Sequence, residues 1–270
     1  MIDTTEAFDT AEREMWGGRA EAYAGSFARL CAHPVEALLD TAGVGAGTRV
    51  LDVGTGTGTA AAAAVERGAR VRAVDADAGM VAAARARGVD ARTAVLPELP
   101  YGDGEFDAVV GNFALNHVGR PRAALAELRR VLRPGGRVAV TVWGGGGQSG
   151  MELLGRACEA AGAVVPPHLP RLAPEEDFPR TTDGLAELLA GAGFTGTGCT
   201  EPVWEHRATP EEWWTGAAAG IGTIGRIVTS QTPATLTLVR EAYDRLAGGL
   251  TDGDGRLRLQ HRALLASGTA

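Results

Sequence analysis

The chain has 270 residues, is 45% hydrophobic and carries a formal net charge of −7, with a pI near 5.3. That is enough apolar material for a sizeable core, while the acidic balance is the wrong sign for nucleic acid, which selects a basic face. No apolar run reaches membrane-spanning length, and the polar start MIDTTEAFDTAERE is no signal peptide, so a cytoplasmic protein without nucleic-acid or membrane partners is expected.

Cys31, Cys158 and Cys199 are scattered and make no CxxC or metal-ligand spacing, which argues against a disulfide framework or a metal site. All 26 basic residues are arginine. Without lysine, a lysine base, a Schiff base and the phosphate-binding lysine of a P-loop are all excluded. The densest basic cluster, Arg129, Arg130, Arg133 and Arg137, lies at a helix end, where it complements the dipole.

In chain order, Thr48 to Gly54 (TRVLDVG) reads as a buried strand and Thr57 to Gly68 as a helix stopped by its glycine. Ala69 to Asp77 is a second strand. The following helix, AGMVAAARARG, closes at Gly88, and a weak third strand falls near Asp90 to Val95. Glu105 to Leu115 is the fourth strand. Ala124, Leu125, Leu128 and Leu132 then recur at helical spacing, and Pro134-Gly135-Gly136 is a stop and turn before the fifth strand, Arg137 to Trp143. Strands alternating with helices in this way predict a parallel sheet covered on both faces.

Beyond Trp143 the pattern loosens. Gly144 to Gly150 is a flexible loop, and the proline-rich Val164 to Pro179 is irregular or a lid. TTDGLAELLAGAGF is a capped helix leading to one strand near Phe194 to Trp204. Thr209 caps a further helix with Pro210 in its first position. ATLTLVREAYDRLAGGL is another helix, and RLRLQHRALLAS closes the chain as a strand.

VLDVGTGTG concentrates the chemistry. A strand, a glycine turn and a helix bring backbone N–H groups to the sheet's carboxyl edge, and glycine lets a ligand approach the main chain. Gly54, Gly56 and Gly58 give GxGxG, whereas a dinucleotide fingerprint needs glycine where Thr59 stands. Asp75 ends the second strand, 23 residues after Asp52, and faces the same crevice. A carboxylate there accepts from both hydroxyls of a ribose, at about 1.5–3 kcal/mol per bond. The alternative, that it caps the next helix, suits Asp77 better.

VLDVGTGTG, AVDADAGM, LPYGDGEFDAVVGNFALNHV and ELRRVLRPGGRVAVTVW resemble the successive motifs of class I S-adenosylmethionine-dependent methyltransferases, in the small-molecule branch that includes ubiquinone and menaquinone methyltransferases. The resemblance runs from about Val50 to Trp143. It implies an α/β fold: a doubly wound Rossmann-like seven-stranded sheet with an antiparallel last strand, an N-terminal helical lid and inserted cap helices. A single domain over 1–270 is expected, with the lid at 1–45, the core at 46–206 containing an insertion at 144–180, cap helices at 207–254 and the final strand at 255–270. It further implies S-adenosyl-L-methionine as cofactor. Gly54, Thr55 and Gly56 would back its methionine part, with Asp52 also among the cofactor-binding residues, Asp75 would hold the ribose, and Ala76 would lie near the adenine. Asn112 would line the sulfonium end, with Trp16 and Tyr23 as lid residues. Where the family carries an acidic residue for the adenine amino group, this chain has Val95 and Leu96, so backbone groups and apolar stacking at Leu96, or else Glu98, would serve.

The acceptor attacks the sulfonium methyl in line, so the protein's work is alignment and exclusion of water. Where the nucleophile carries a proton, His117, beside the crevice, is the candidate catalytic base. His33, His168, His206 and His261 receive no such role. Trp213 or Trp214 would favour a flat or aromatic acceptor if one faces the pocket. A small-molecule acceptor, such as a specialised metabolite, is expected, with the oligomeric state open and a homodimer included. An NAD-linked oxidoreductase, or a cofactor-binding protein or catalyst that does not methylate, are the competing readings.

Overall fold

The computed structural model describes residues 4–147, 149–167, 169 and 171–270. The N-terminal segment folds into α1 (Thr4–Trp16), α2 (Ala20–Gly25), α3 (Phe27–Cys31) and α4 (Val35–Thr41). Strands and helices then alternate as β1 (Arg49–Val53), α5 (Thr59–Glu66), β2 (Arg70–Asp75), α6 (Ala78–Ala86), β3 (Asp90–Thr93), β4 (Phe106–Asn112), a 3-10 turn (Ala114–His117), α7 (Pro121–Val131) and β5 (Leu132–Trp143). The remainder comprises α8 (Ser149–Ala160), α9 (Thr182–Gly191), β6 (Thr195–Thr200), β7 (Val203–Ala208), α10 (Pro210–Ala218), α11 (Gly222–Thr229), α12 (Pro233–Gly248) and β8 (Leu257–Thr269).

The sheet runs β3-β2-β1-β4-β5-β8-β6. β1 to β5 are parallel, and β8 is antiparallel to β5 and β6. The seven strands of this path form the expected doubly wound sheet with its antiparallel last strand. An eighth was not expected: β7 pairs with the first half of β8. The single strand read near Phe194 to Trp204 is two, broken before Val203 because Pro202 has no N–H for the ladder. Its carbonyl still accepts from Ala263 N at 3.1 Å. At the other expected stop, Pro134 to Gly136 forms an irregularity within β5, where the register jumps from Phe106↔Leu132 to Ala108↔Arg137.

Burial explains the pattern. β4 and β5 are covered on both faces, and α7 turns Ala124, Leu125, Leu128 and Val131 wholly inward; each such leucine contributes about 1.5–3 kcal/mol. α5 buries only Ala60, Ala61 and Ala64, small side chains that let the helix lie close to the sheet. α4 packs Val35, Leu38 and Leu39 into the core with Val50 and Val110, so α1 to α3 are the part that covers the site. A separate apolar cluster joins Trp213, Tyr243, Leu153, Leu154, Val239, Leu257 and Leu259 beneath the cap helices.

α8 and α11 were not foreseen. Gly150 and Gly155 in α8, and Gly222 and Gly225 in α11, suppress helix propensity; both helices are held by tertiary burial, such as that of Leu153 and Leu154. Thr209 does cap α10, in a full capping box with Glu212.

Candidate active site

The parallel sheet reverses its winding between β1 and β4, and a crevice opens at the carboxyl ends of those strands. Gly54, Gly56 and Gly58 leave β1 with φ of +62°, +54° and +83°, a conformation that costs other residues strain. A Cβ on Gly54 would sit 2.6 Å from the Ala114 Cβ in the turn after β4. The loop is bare because that turn presses against it.

Asp75 closes the loop from β2. Its Oδ2 accepts from Gly56 N at 2.8 Å and its Oδ1 from Asp77 N at 3.0 Å. Burial raises its pKa, against the pull of these two N–H groups. Each oxygen retains acceptor capacity for a hydroxyl. Helix capping falls instead to Asp77, which accepts from Met80 N at 2.8 Å.

A cavity of about 650 Å³ fills the crevice. It brings together Trp16, Tyr23, Gly54, Gly56, Asp75, Ala76, Asn112 and His117 among the expected site residues. Three others do not line it. Asp52 and Thr55 lie under the glycine loop, 1% and 7% exposed, where the Thr55 hydroxyl donates to Asp52 Oδ2 at 2.7 Å. Burial raises Asp52 to about 7, opposed by Thr55 and the Ala61 N–H and reinforced by Asp75. Leu96 packs against the main core instead, and Glu98 is exposed. Met80 and Asp77, at the start of α6, line the end beside Ala76.

Asn112 is held at both ends of its amide. Its Oδ1 accepts from the Thr141 hydroxyl at 2.8 Å, and its Nδ2 donates to the Cys31 carbonyl at 2.7 Å, tying β4 to α3. The next residue, Phe113, has φ of +62°, a strain of about 1–3 kcal/mol for a residue other than glycine. That backbone stacks its ring on Trp143 at 4.0 Å and 18°. Phe27, Leu30, Met151, Ile224 and Ile227 extend this apolar wall.

The tryptophans of α10 are not part of it. Trp213 is 2% exposed, packs edge-on against Phe27 and donates to the Gly150 carbonyl at 3.0 Å. Trp214 packs on Tyr243. Both complete the cap core, and the half-buried Trp143 lines the cavity instead.

His117 stands where the two sides meet. Its Nδ1 lies 2.8 Å from Glu12 Oε2 and 3.3 Å from Trp16 Nε1. The Trp16 ring meets both Tyr23 and His117 edge-on. Burial pushes the Tyr23 phenol well above its usual value, with Cys31 adding to it. α1 is fixed over the site by Asp9, which accepts from Gly119 N at 2.6 Å.

Sequence reasoning missed Glu12, Trp143 and His261, all of which line the cavity. His261 had a usable signal: Leu257, Leu259 and His261 alternate inward along β8. Burial lowers its pKa to about 3, and that of His206 to about 4. His206 Nδ1 is 3.1 Å from His33 Nε2. His168 falls outside the described residues. No helix among the described residues is long and apolar enough to cross a membrane.

Residues 51–140 match the methyltransferase domain family. The demethylmenaquinone methyltransferase of Mycobacterium tuberculosis is 42% identical over 97 residues, 36% of this chain and 42% of that protein. The matched segment thus spans less than half the length of such relatives. Among solved structures, a candidate methyltransferase from an antibiotic biosynthesis pathway of Anabaena variabilis aligns with a TM-score of 0.57 at 17% identity, covering 87% of this chain and 96% of that one. The YcgJ protein of Bacillus subtilis aligns with a TM-score of 0.53 at 21% identity, covering 88% and 97%. Residues 51–140 thus carry a methyltransferase domain, set in the fold that these solved structures share.

Proposed function

We propose that the protein transfers the methyl group of S-adenosylmethionine to a small apolar acceptor. One observation carries the reading: a single cavity joins a bare glycine loop and a buried carboxylate on one side to an aromatic and aliphatic wall on the other. The cofactor fits the first side, since Gly54 and Gly56 bring main chain to the cavity wall beside the buried Asp75 carboxylate. Gly54 and Gly56 would meet its amino-acid part, Asp75 its ribose, Ala76 and Met80 its base, and Asn112 the region of its sulfur. When bound, it supplies a methyl group on a positively charged sulfur, already activated toward attack.

The chain's own contribution is alignment. Phe113 and Trp143 present a rigid flat face, and Met151, Ile224 and Ile227 exclude water around the acceptor, so close approach replaces chance encounter. Trp16 and Tyr23 cover the opening from α1 and α2. A cytoplasmic setting and a small-molecule acceptor, without nucleic acid or membrane, belong to the same reading; the charge of −7 supports it.

Calorimetry with S-adenosylmethionine and with its demethylated product tests the reading. Saturable binding of both at one site per chain is expected. No binding at millimolar ligand overturns it. Retained cofactor with no label transferred across a broad panel of oxygen, nitrogen, carbon and sulfur acceptors would favour the non-methylating alternative, and a fluorescence response to NADH the oxidoreductase.

A further inference from the structure

We propose that Arg19 is a positioning residue that couples the lid over the cofactor to the wall of the acceptor pocket: as α1 and α2 settle on bound cofactor, its guanidinium sets α11 in place. The inference rests on the methyl-transfer reading and adds how the acceptor side is completed.

Arg19 stands in the joint between α1 and α2, directly after Gly17 and Gly18. Gly18 has φ of +71°. The backbone of Arg19 ties the two lid aromatics together: its N–H donates to the Trp16 carbonyl at 3.2 Å, and its carbonyl accepts from Tyr23 N at 2.9 Å. Its side chain reaches across the fold. Nε donates to the Ala219 carbonyl at 3.0 Å, and Nη1 donates to the Glu14 and Gly17 carbonyls at 3.1 and 3.0 Å. These carbonyls lie at the C-terminal ends of α10 and α1. The last carbonyls of a helix lack partners within it, and a cation there complements both helix dipoles. The planar guanidinium serves two helix ends at once because its donors point in fixed, divergent directions.

Ala219 leads straight into α11. Gly220 and Gly222, with φ of +76° and +66°, fold the chain back so tightly that a Cβ on Gly225 would sit 2.4 Å from the Gly220 carbonyl carbon. A joint packed main chain on main chain has no slack, so α11 follows the end of α10. α11 brings Thr223, Ile224 and Ile227 to the cavity. At the other end of the link, Tyr23 reaches the glycine loop, where a Cβ on Gly56 would lie 3.4 Å from its ring. Arg19 thus joins what covers the cofactor to what walls the acceptor.

The body of α10 is anchored without Arg19. The Phe27 ring packs edge-on against Trp213 and so close to Gly216 that a Cβ there would sit 2.7 Å from it. Replacing Arg19 should therefore release α11 and leave the cap folded. The wall that keeps water from the acceptor is complete only beside a covered cofactor, so an acceptor meets a finished pocket only where a methyl donor is loaded.

Hydrogen exchange read by mass spectrometry, with and without S-adenosylhomocysteine, tests the link. In the wild type, saturating ligand should slow the amides of α1, α2 and α11, those of α11 by about fivefold or more, the low end of ordinary coupling between sites. In Arg19→Gln, α1 and α2 should still slow, while α11 exchanges alike with and without ligand. Calorimetry should show the dissociation constant rising by at most the factor lost from α11, since coupling is reciprocal. The ratio of exchange with and without ligand is the reading that a merely structural role would leave unchanged. Should Arg19→Gln fail to fold, Arg19→Lys keeps the charge without the fork and carries the same readings. An α11 that ignores ligand in the wild type, an α11 that slows as much in the variant, or loss of the lid's own response in the variant would overturn the proposal. Failure of the wild type to bind S-adenosylhomocysteine would instead strike the methyl-transfer reading, which calorimetry reports separately.

Discussion

The two sides of the cavity are made differently. The glycine-loop side is built largely from main chain: the left-handed Gly54 and Gly56, two N–H groups and one carboxylate, all within the β1-α5-β2-α6 segment. The opposite side is built from side chains drawn from α3, α8, α11, the ends of β4 and β5, and β8. The first depends on backbone shape that few sequences can supply; the second depends on which apolar surfaces the tertiary fold happens to bring together.

Their supports differ as well, so each can be broken without the other. The largest effect should come from Trp213→Ala. It removes a side chain 2% exposed and its bond to the Gly150 carbonyl, and should cost about 3–5 kcal/mol of stability in urea unfolding. Cofactor affinity in the protein that remains folded should change little.

Acidity should separate the halves by sign. His206 and His261 have pKa values depressed to about 4 and about 3. Their contribution is full above about 6.5 and is lost as pH falls toward the folded values. Between pH 6.5 and 5, each alone loses about 2 kcal/mol. Asp52 is raised to about 7, so its contribution is full below about 3.8 and is lost as pH rises through 7. Unfolding across this range should therefore show a steeper acid loss in Asp52→Asn and a shallower one in His206→Gln. Equal slopes in both variants would remove the distinction.

Asp75→Ala should weaken S-adenosylmethionine binding at least about tenfold by calorimetry, about 1.4 kcal/mol or more, if its carboxylate holds the ribose as proposed; the variant also releases the Gly56 N–H. The smallest effect belongs to Ile224→Ala. This trims the apolar wall, and should raise the acceptor KM a few-fold while leaving the cofactor dissociation constant unchanged.

The same division governs what could be read from the residues. GxGxG followed by a carboxylate at the next strand end was legible, because glycine spacing and strand-end position are local properties. The β1-to-β5 order followed from alternation. Thr209 and Pro210 marked the start of α10 for the same local reason. Leu96 packs against the core and does not line the cavity, since a position along the chain does not say which way a side chain turns. Trp213 and Trp214 left pocket and core equally open, because aromatic bulk serves a core as readily as a pocket, and both are buried. α8 and α11 were hidden by their glycines, since burial rather than propensity holds them. Glu12 and His117 are far apart in the chain, and nothing local announces that they meet.

β8 joins the parallel half of the sheet to β6 and β7. It pairs with β5 and β6 along its second half and with β7 along its first, and it also places His261 in the cavity wall. Its partner in β5, Trp143 opposite Ala263, lies a long loop closure away. Such distant pairings form slowly, whereas the consecutive β-α units of the parallel half close short loops. During synthesis that half can assemble while the seam is still being translated. The pocket for the acceptor should thus be the last part of the molecule to acquire native protection in pulse-labelling hydrogen exchange, after the glycine loop is already in place.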